Sequence, residues 1–169
     1  MINVIQTGFP KQSNKKIINN LLCSANWKFG SDLILPDSVR KDAGFILTSL
    51  DKASPIVLND YNIYAEIIVN LIQEKSFFKF KNIKRIFWNW YHPNSEMDFH
   101  QDDYSDKNFS IVYNLHDNDG GTEFKINDKI KFYQSNESEA LVFPSKLFHR
   151  GISPKTKFHR FSLNMITEI

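Results

Sequence analysis

Three side chains in this sequence have the types and spacing to hold one divalent metal ion. His100 and Asp102 stand two residues apart. On an extended strand, residues two apart point to the same face, so one imidazole and one carboxylate can reach a single ion. The pair carries no weight alone. With 5 His and 19 acidic residues in the chain, roughly one such pair is expected in every second chain of this composition. His149 adds the third donor. It lies 47 residues after Asp102, just past the apolar run Leu141-Val142-Phe143 and at the head of a strand candidate. An antiparallel fold can return it to the first pair. A further pair follows in Arg160-Phe161-Ser162, where Arg160 is 11 residues past His149 and Ser162 shares its strand face. A guanidinium grips a carboxylate with two prongs, and a hydroxyl adds one bond. The plain alternative for Arg160 is a structural ion pair.

The elements that must position these residues change character along the chain. The first half reads as helix-rich. Lys15 to Cys23 is a short helix candidate. A longer one runs from about Asp60 to Lys75, where Ile63, Tyr64, Ile67, Ile68, Leu71 and Ile72 recur at three- and four-residue steps. Asn59 or Asp60 can cap its start. After residue 84 the pattern turns to short aromatic and β-branched runs: Arg85 to Tyr91, Phe109 to Leu115, Thr122 to Ile126, Lys129 to Tyr133, Ala140 to Pro144, His149 to Ser153 and Arg160 to Thr167. Turn signals separate them, namely Pro93-Asn94, Asn118-Asp119-Gly120-Gly121, Asn127-Asp128, Pro144-Ser145 and Pro154. Short strands at this spacing predict an antiparallel sandwich or barrel. Helices first and strands after predict an α+β chain with a mainly β core, its helices covering one sheet.

Two His and one carboxylate on one face of a metal form the facial triad of non-haem iron(II) oxygenases, which leaves three positions open. Zinc is the chemical rival, but a structural zinc site usually takes four ligands with Cys among them, and the chain has one Cys. With the His-x-Asp pair, the distal His149, the Arg160-x-Ser162 pair and the turn Gly120-Gly121-Thr122-Glu123-Phe124 together, residues 85 to 167 resemble the 2-oxoglutarate- and iron(II)-dependent oxygenases.

That resemblance implies a double-stranded β-helix, or jelly roll, supported by the N-terminal helices. It implies one domain over 1–169, with 1–84 as helical support and 85–169 as the jelly-roll core. It implies Fe(II) held by His100, Asp102 and His149, with 2-oxoglutarate and O2 as cosubstrates and the far carboxylate of 2-oxoglutarate on Arg160 and Ser162. Asn89 and Tyr91 precede His100 by 11 and 9 residues, a placement similar to the cosubstrate-binding Asn-x-Tyr of AlkB-type nucleic-acid demethylases. Two departures stand out. The AlkB type has a second Arg six residues after the first, where this chain has Ile166. Prolyl 4-hydroxylases usually have a Lys ten residues after the distal His, where this chain has His159. The Gly-Gly turn and the strand order look most like the prolyl-hydroxylase branch. The implied activity is oxidation of a C–H bond in a peptide, an amino acid or a small metabolite. A non-catalytic jelly-roll protein with a relic metal site is the alternative, and an AlkB-like demethylase is a third reading that the charge and Ile166 disfavour.

Composition bounds the rest. Net charge is +2, from 21 basic and 19 acidic side chains, which makes no electrostatic case for a nucleic-acid partner. The basic residues between Lys146 and Arg160 read as a solvated rim. The single Cys23 lies in an apolar run, reads as a small buried hydrophobe and points to a reducing, cytoplasmic setting. No stretch reaches the ~18 apolar residues of a membrane helix. His92, His116 and His159 read as ordinary structural histidines, and Trp90 as facing away from Asn89 and Tyr91.

Overall fold

Aromatic and β-branched side chains pack well on a pleated, half-buried surface, and most of the strands lie after residue 81, where such residues crowd. The computed structural model describes residues 1–24, 26–29, 44–51, 59–93, 95, 97–156 and 159–169. In chain order the elements are β1 (Asn3–Gln6), α1 (Lys11–Leu22), β2 (Lys28–Phe29), β3 (Phe45–Asp51), α2 (Asn59–Glu74) and β4 (Asn82–Tyr91). There follow β5 (Asn108–Asn114), β6 (Gly121–Ile126), β7 (Lys129–Gln134), β8 (Glu139–Pro144), β9 (His149–Ile152) and β10 (Arg160–Glu168). A seven-stranded sheet runs β1-β8-β5-β10-β4-β3-β2 and a three-stranded sheet runs β7-β6-β9. All pairings are antiparallel, and the two sheets form a jelly roll.

Strand alternation gives the large sheet two unlike faces. On the outer face Trp88, Ile111, Tyr113, Val142, Leu163 and Met165 join Ile17 and Leu21 of α1 and Ala65, Ile68 and Ile72 of α2 in one apolar core. Fully burying each large apolar side chain here contributes about 1.5–3 kcal/mol. On the inner face Val112, Leu141 and Phe143 meet Phe124 of the small sheet in a second, smaller core. The rest of the inner face carries Arg85, Asn89, Ser162 and Asn164 together with Phe87 and Tyr91, and lines a cavity. The β6–β7 hairpin turns on Asn127 and Asp128, with φ of 48° and 58°. These two residues tolerate the left-handed conformation that a two-residue hairpin requires.

Several sequence expectations need correcting. Helix α1 begins at Lys11, not Lys15, with Pro10 as its N-cap. Asn14 draws in the first turn, because its buried side chain bonds Ser138 Oγ and Tyr113 Oη. Cys23 is exposed, not buried. Ile17 and Leu21, four apart, take the buried stripe, and Cys23 lies two residues on, about 200° round the helix. In α2, Ile63 and Ile67 are exposed at 57% and 41%. The buried stripe is Ala65, Ile68, Val69 and Ile72. The side chains of 59 and 60, the candidate caps, and Asn94 of the expected Pro93-Asn94 turn lie outside the described residues. Among the described residues, the first 81 also supply the strands β1, β2 and β3. β1 extends the large sheet beyond β8, and β3 and β2 extend it beyond β4. Among the described residues, no helix is long and apolar enough to cross a membrane.

Candidate metal centre

The site is built where a loop is laced to the start of β9. His100 and His149 form an isolated β-bridge. Each backbone N–H donates to the other's carbonyl, at 2.9 and 3.0 Å. The Asp102 N–H donates to Ser145 O at 3.0 Å. The His-x-Asp pair thus lies on one bridged residue and the loop after it, not on a regular strand as expected. The result is still convergent: one donor atom each from His100, Asp102 and His149 lie within 4.8 Å of one another. Among the described residues this is the one such group of His, Cys, Asp or Glu.

The protonation states suit a metal. His100 Nδ1 lies 3.1 Å from Asp98 O and His149 Nδ1 lies 3.0 Å from Leu147 O. A ring N–H given to a backbone carbonyl leaves Nε2 as the free lone pair. Burial lowers the His149 pKa from its ordinary value, against the opposing pull of Asp102, and so favours the neutral ring. The Asp102 side chain is 1% exposed. Burial alone would raise its carboxyl, but its surroundings, the Arg85 guanidinium and the Ser110 hydroxyl among them, outweigh burial and hold it well below the usual carboxylate range. Arg85 Nη2 donates to Asp102 Oδ1 at 2.6 Å and Ser110 Oγ donates to Oδ2 at 2.6 Å. Two imidazoles and one ionised carboxylate fit a divalent first-row ion, and three ligands leave positions open.

The cavity continues along the inner face of the large sheet. Arg160 pairs in register with Tyr91, and Ser162 with Asn89 and Asn114. Asn89, Tyr91 and Ser162 line the same cavity as the triad. Arg160 is 1% exposed. Its Nε donates to Ser135 Oγ at 2.8 Å, its Nη2 reaches Thr122 Oγ1 at 3.3 Å, and its guanidinium lies 4.7 Å from the centre of the Tyr91 ring. Arg160 Nη1 and Ser162 Oγ are buried without a hydrogen-bond partner. Among the described residues no carboxylate pairs with Arg160, so the structural ion-pair alternative has no support there. Burial lowers the Arg160 pKa from its ordinary value, with Tyr91 opposing. A buried guanidinium without a counter-ion is costly, and a carboxylate at Nη1 and Ser162 Oγ would supply one.

Two of the other histidines make structural hydrogen bonds. His159 Nδ1 accepts from Trp90 Nε1 at 2.8 Å, and His116 Nε2 accepts from the Phe161 N–H at 3.2 Å. Trp90 packs on the outer core, opposite Asn89 and Tyr91. Sequence reasoning missed Arg85 and Ser110, the two residues that hold Asp102. A signal existed for Arg85. It alternates with Phe87, Asn89 and Tyr91 on one face of one strand.

No protein-family model and no curated protein matches the sequence. Solved structures do match. A prolyl hydroxylase from Trichoplax adhaerens, solved with a hypoxia inducible factor peptide fragment, superposes with a TM-score of 0.71 at 14% identity, covering 99% of this chain and 83% of that one. A Pseudomonas putida prolyl-4-hydroxylase gives 0.66 at 14% identity, over 99% and 91%. HygX from Streptomyces hygroscopicus, with nickel and 2-oxoglutarate bound, gives 0.65 at 9% identity, over 99% and 82%. This chain has the fold of the 2-oxoglutarate- and iron(II)-dependent oxygenases.

Proposed function

We propose that the protein is an Fe(II)- and 2-oxoglutarate-dependent dioxygenase that oxidises a C–H bond of a peptide, an amino acid or a small metabolite. The observation that carries this reading is Arg160, a buried cation with an unpartnered Nη1, packed against Tyr91, which lines the cavity that holds the triad. A relic metal site has no use for an uncompensated buried charge, whereas a dicarboxylate cosubstrate needs one. His100 and His149 present their Nε2 atoms to the metal, and Asp102 stays ionised between Arg85 and Ser110. Arg160 and Ser162 orient the distal carboxylate. Tyr91, packed against the Arg160 guanidinium, closes that end of the cavity and excludes water. When bound, iron and 2-oxoglutarate supply the oxidising chemistry, in which O2 and 2-oxoglutarate give succinate, carbon dioxide and an oxidised substrate.

The test is an anaerobic titration of the Fe(II)-loaded protein with 2-oxoglutarate, followed by its charge-transfer absorption. A substrate screen read out as succinate then comes under air. A saturable band and substrate-stimulated succinate are expected. Absence of the band in the wild type overturns the reading.

A further inference from the structure

Strand β7 is an edge of the small sheet, and it is bare. Lys129, Ile130, Lys131 and Phe132 are all exposed, Ile130 at 57% and Phe132 at 46%. Among the described residues no strand pairs with β7 on the side away from β6. The hairpin fixes which backbone groups that edge presents. A two-residue turn closes on a hydrogen-bonded pair, here Ile126 and Lys129, and such pairs alternate along the ladder. Lys129, Lys131 and Tyr133 therefore give their N–H and C=O groups to β6, and Ile130 and Phe132 turn theirs to solvent.

Strand alternation sorts the side chains of this edge into two ridges. Tyr133 packs edge-on against Phe124 of the inner core, and Lys129 and Lys131 share its side. The Lys131 ammonium sits 4.8 Å from the centre of the Tyr133 ring. Among the described residues no carboxylate pairs with either lysine. Ile130 and Phe132 form the other ridge. The Phe132 ring lies against the sheet because residue 121 is glycine: a Cβ there would be 2.7 Å from the ring.

A row of unpaired N–H and C=O groups is a template for another strand, and charge selects which strand. β7 carries no acidic side chain. A second copy paired along β7 would gather Lys129 and Lys131 of both copies at one seam, where like charges repel. An acidic strand instead meets cations on one side and an apolar ridge on the other.

We infer that β7 docks an extended peptide segment of a partner protein, in which acidic residues alternate with apolar ones. The segment adds a strand to the small sheet, with its acidic side chains beside Lys129 and Lys131 and its apolar side chains beside Ile130 and Phe132. None of these four residues lines the cavity of the triad, so docking stands apart from the oxygenase reading.

The probe is a short fluorescent peptide of alternating Glu and Val, titrated with the full chain and followed by polarisation. Two control peptides go with it, one with Lys in place of Glu and one of the same composition with Glu and Val in separate blocks. Saturable binding of the alternating peptide alone is expected. Lys129→Glu combined with Lys131→Glu should weaken it about ten-fold or more. Ile130→Pro removes an outward N–H and no bond to β6, and should weaken it about three- to ten-fold. Circular dichroism and metal affinity should match the wild type in each variant. Amide hydrogen exchange reads the contact directly, since saturating peptide should protect Ile130 and Phe132. Absence of binding, equal binding of either control peptide, or unprotected amides overturns the inference. So does a dimer of the protein alone in sedimentation that Phe132→Lys dissociates, because the edge then belongs to a second copy.

Discussion

His100 and His149 face one another across a single β-bridge, each donating its backbone N–H to the other's carbonyl, with ring centroids 4.5 Å apart. Each ring is turned by a bond from Nδ1 to the carbonyl two residues before it. The spacing of the two nitrogen donors is therefore set by main-chain hydrogen bonds, although the residues lie 49 positions apart.

That arrangement predicts one iron per chain. His100→Ala, Asp102→Ala and His149→Ala should each abolish stoichiometric iron by elemental analysis, since a three-ligand site has no spare donor. Ser110→Ala, which frees one oxygen of Asp102, should cost about ten- to a hundred-fold in metal affinity. Full occupancy in all three alanine variants would refute the site.

Arg160 should act on the cosubstrate and not on the metal. Arg160→Ala is expected to leave iron content intact and to raise the 2-oxoglutarate dissociation constant by about ten- to a hundred-fold. Arg160→Lys should fall between, since it keeps the charge but loses the fork. Ser162→Ala should cost about 1 kcal/mol. A titration of Arg160→Ala that overlays the wild type would remove the distal anchor from the account.

Gly151 leaves room for Tyr91. A Cβ at 151 would lie 2.7 Å from Tyr91 Oη and 2.8 Å from its ring carbons, so Gly151→Ala must push the ring off the Arg160 guanidinium. Weaker 2-oxoglutarate binding is expected. In a Tyr91→Ala background the same substitution should cost far less, a coupling of about 0.5–3 kcal/mol. Equal costs in both backgrounds would show that the contact does not matter.

Acid should destabilise the metal-free protein in the histidine range. Burial holds His149 and His116 below their ordinary value of 6.5, so the unfolded chain binds more protons just below that pH. Their contribution is complete above about pH 6.5 and is lost as pH falls through the folded values. Asp102 works in the same sense at lower pH. Its contribution is present above its ordinary 3.8 and is lost as pH falls through its depressed folded value. Calorimetry of the metal-free protein should give a lower melting temperature at about pH 5 than at about pH 7. An equal or higher value at the acid end would contradict the burial of neutral His149 and His116.

Residue type and short-range periodicity were enough to mark the short-strand half of the chain, its hairpin turn at Asn127-Asp128, and the residues His100, Asp102 and His149 that the fold brings together, with Arg160 and Ser162 as candidates beside them. These features are local: side-chain chemistry belongs to the residue, and alternation within one strand states which residues share a face. What lies opposite that face is not local. The bond from Arg85 to Asp102, the pairing of β1 with β8, the exposure of Cys23 and the turning of Ile63 and Ile67 toward solvent were decided by tertiary structure. Each depends on the register and packing of elements remote in sequence. The same periodic stripe fits several rotations of a helix, and the same strand fits several neighbours, until the whole core selects one.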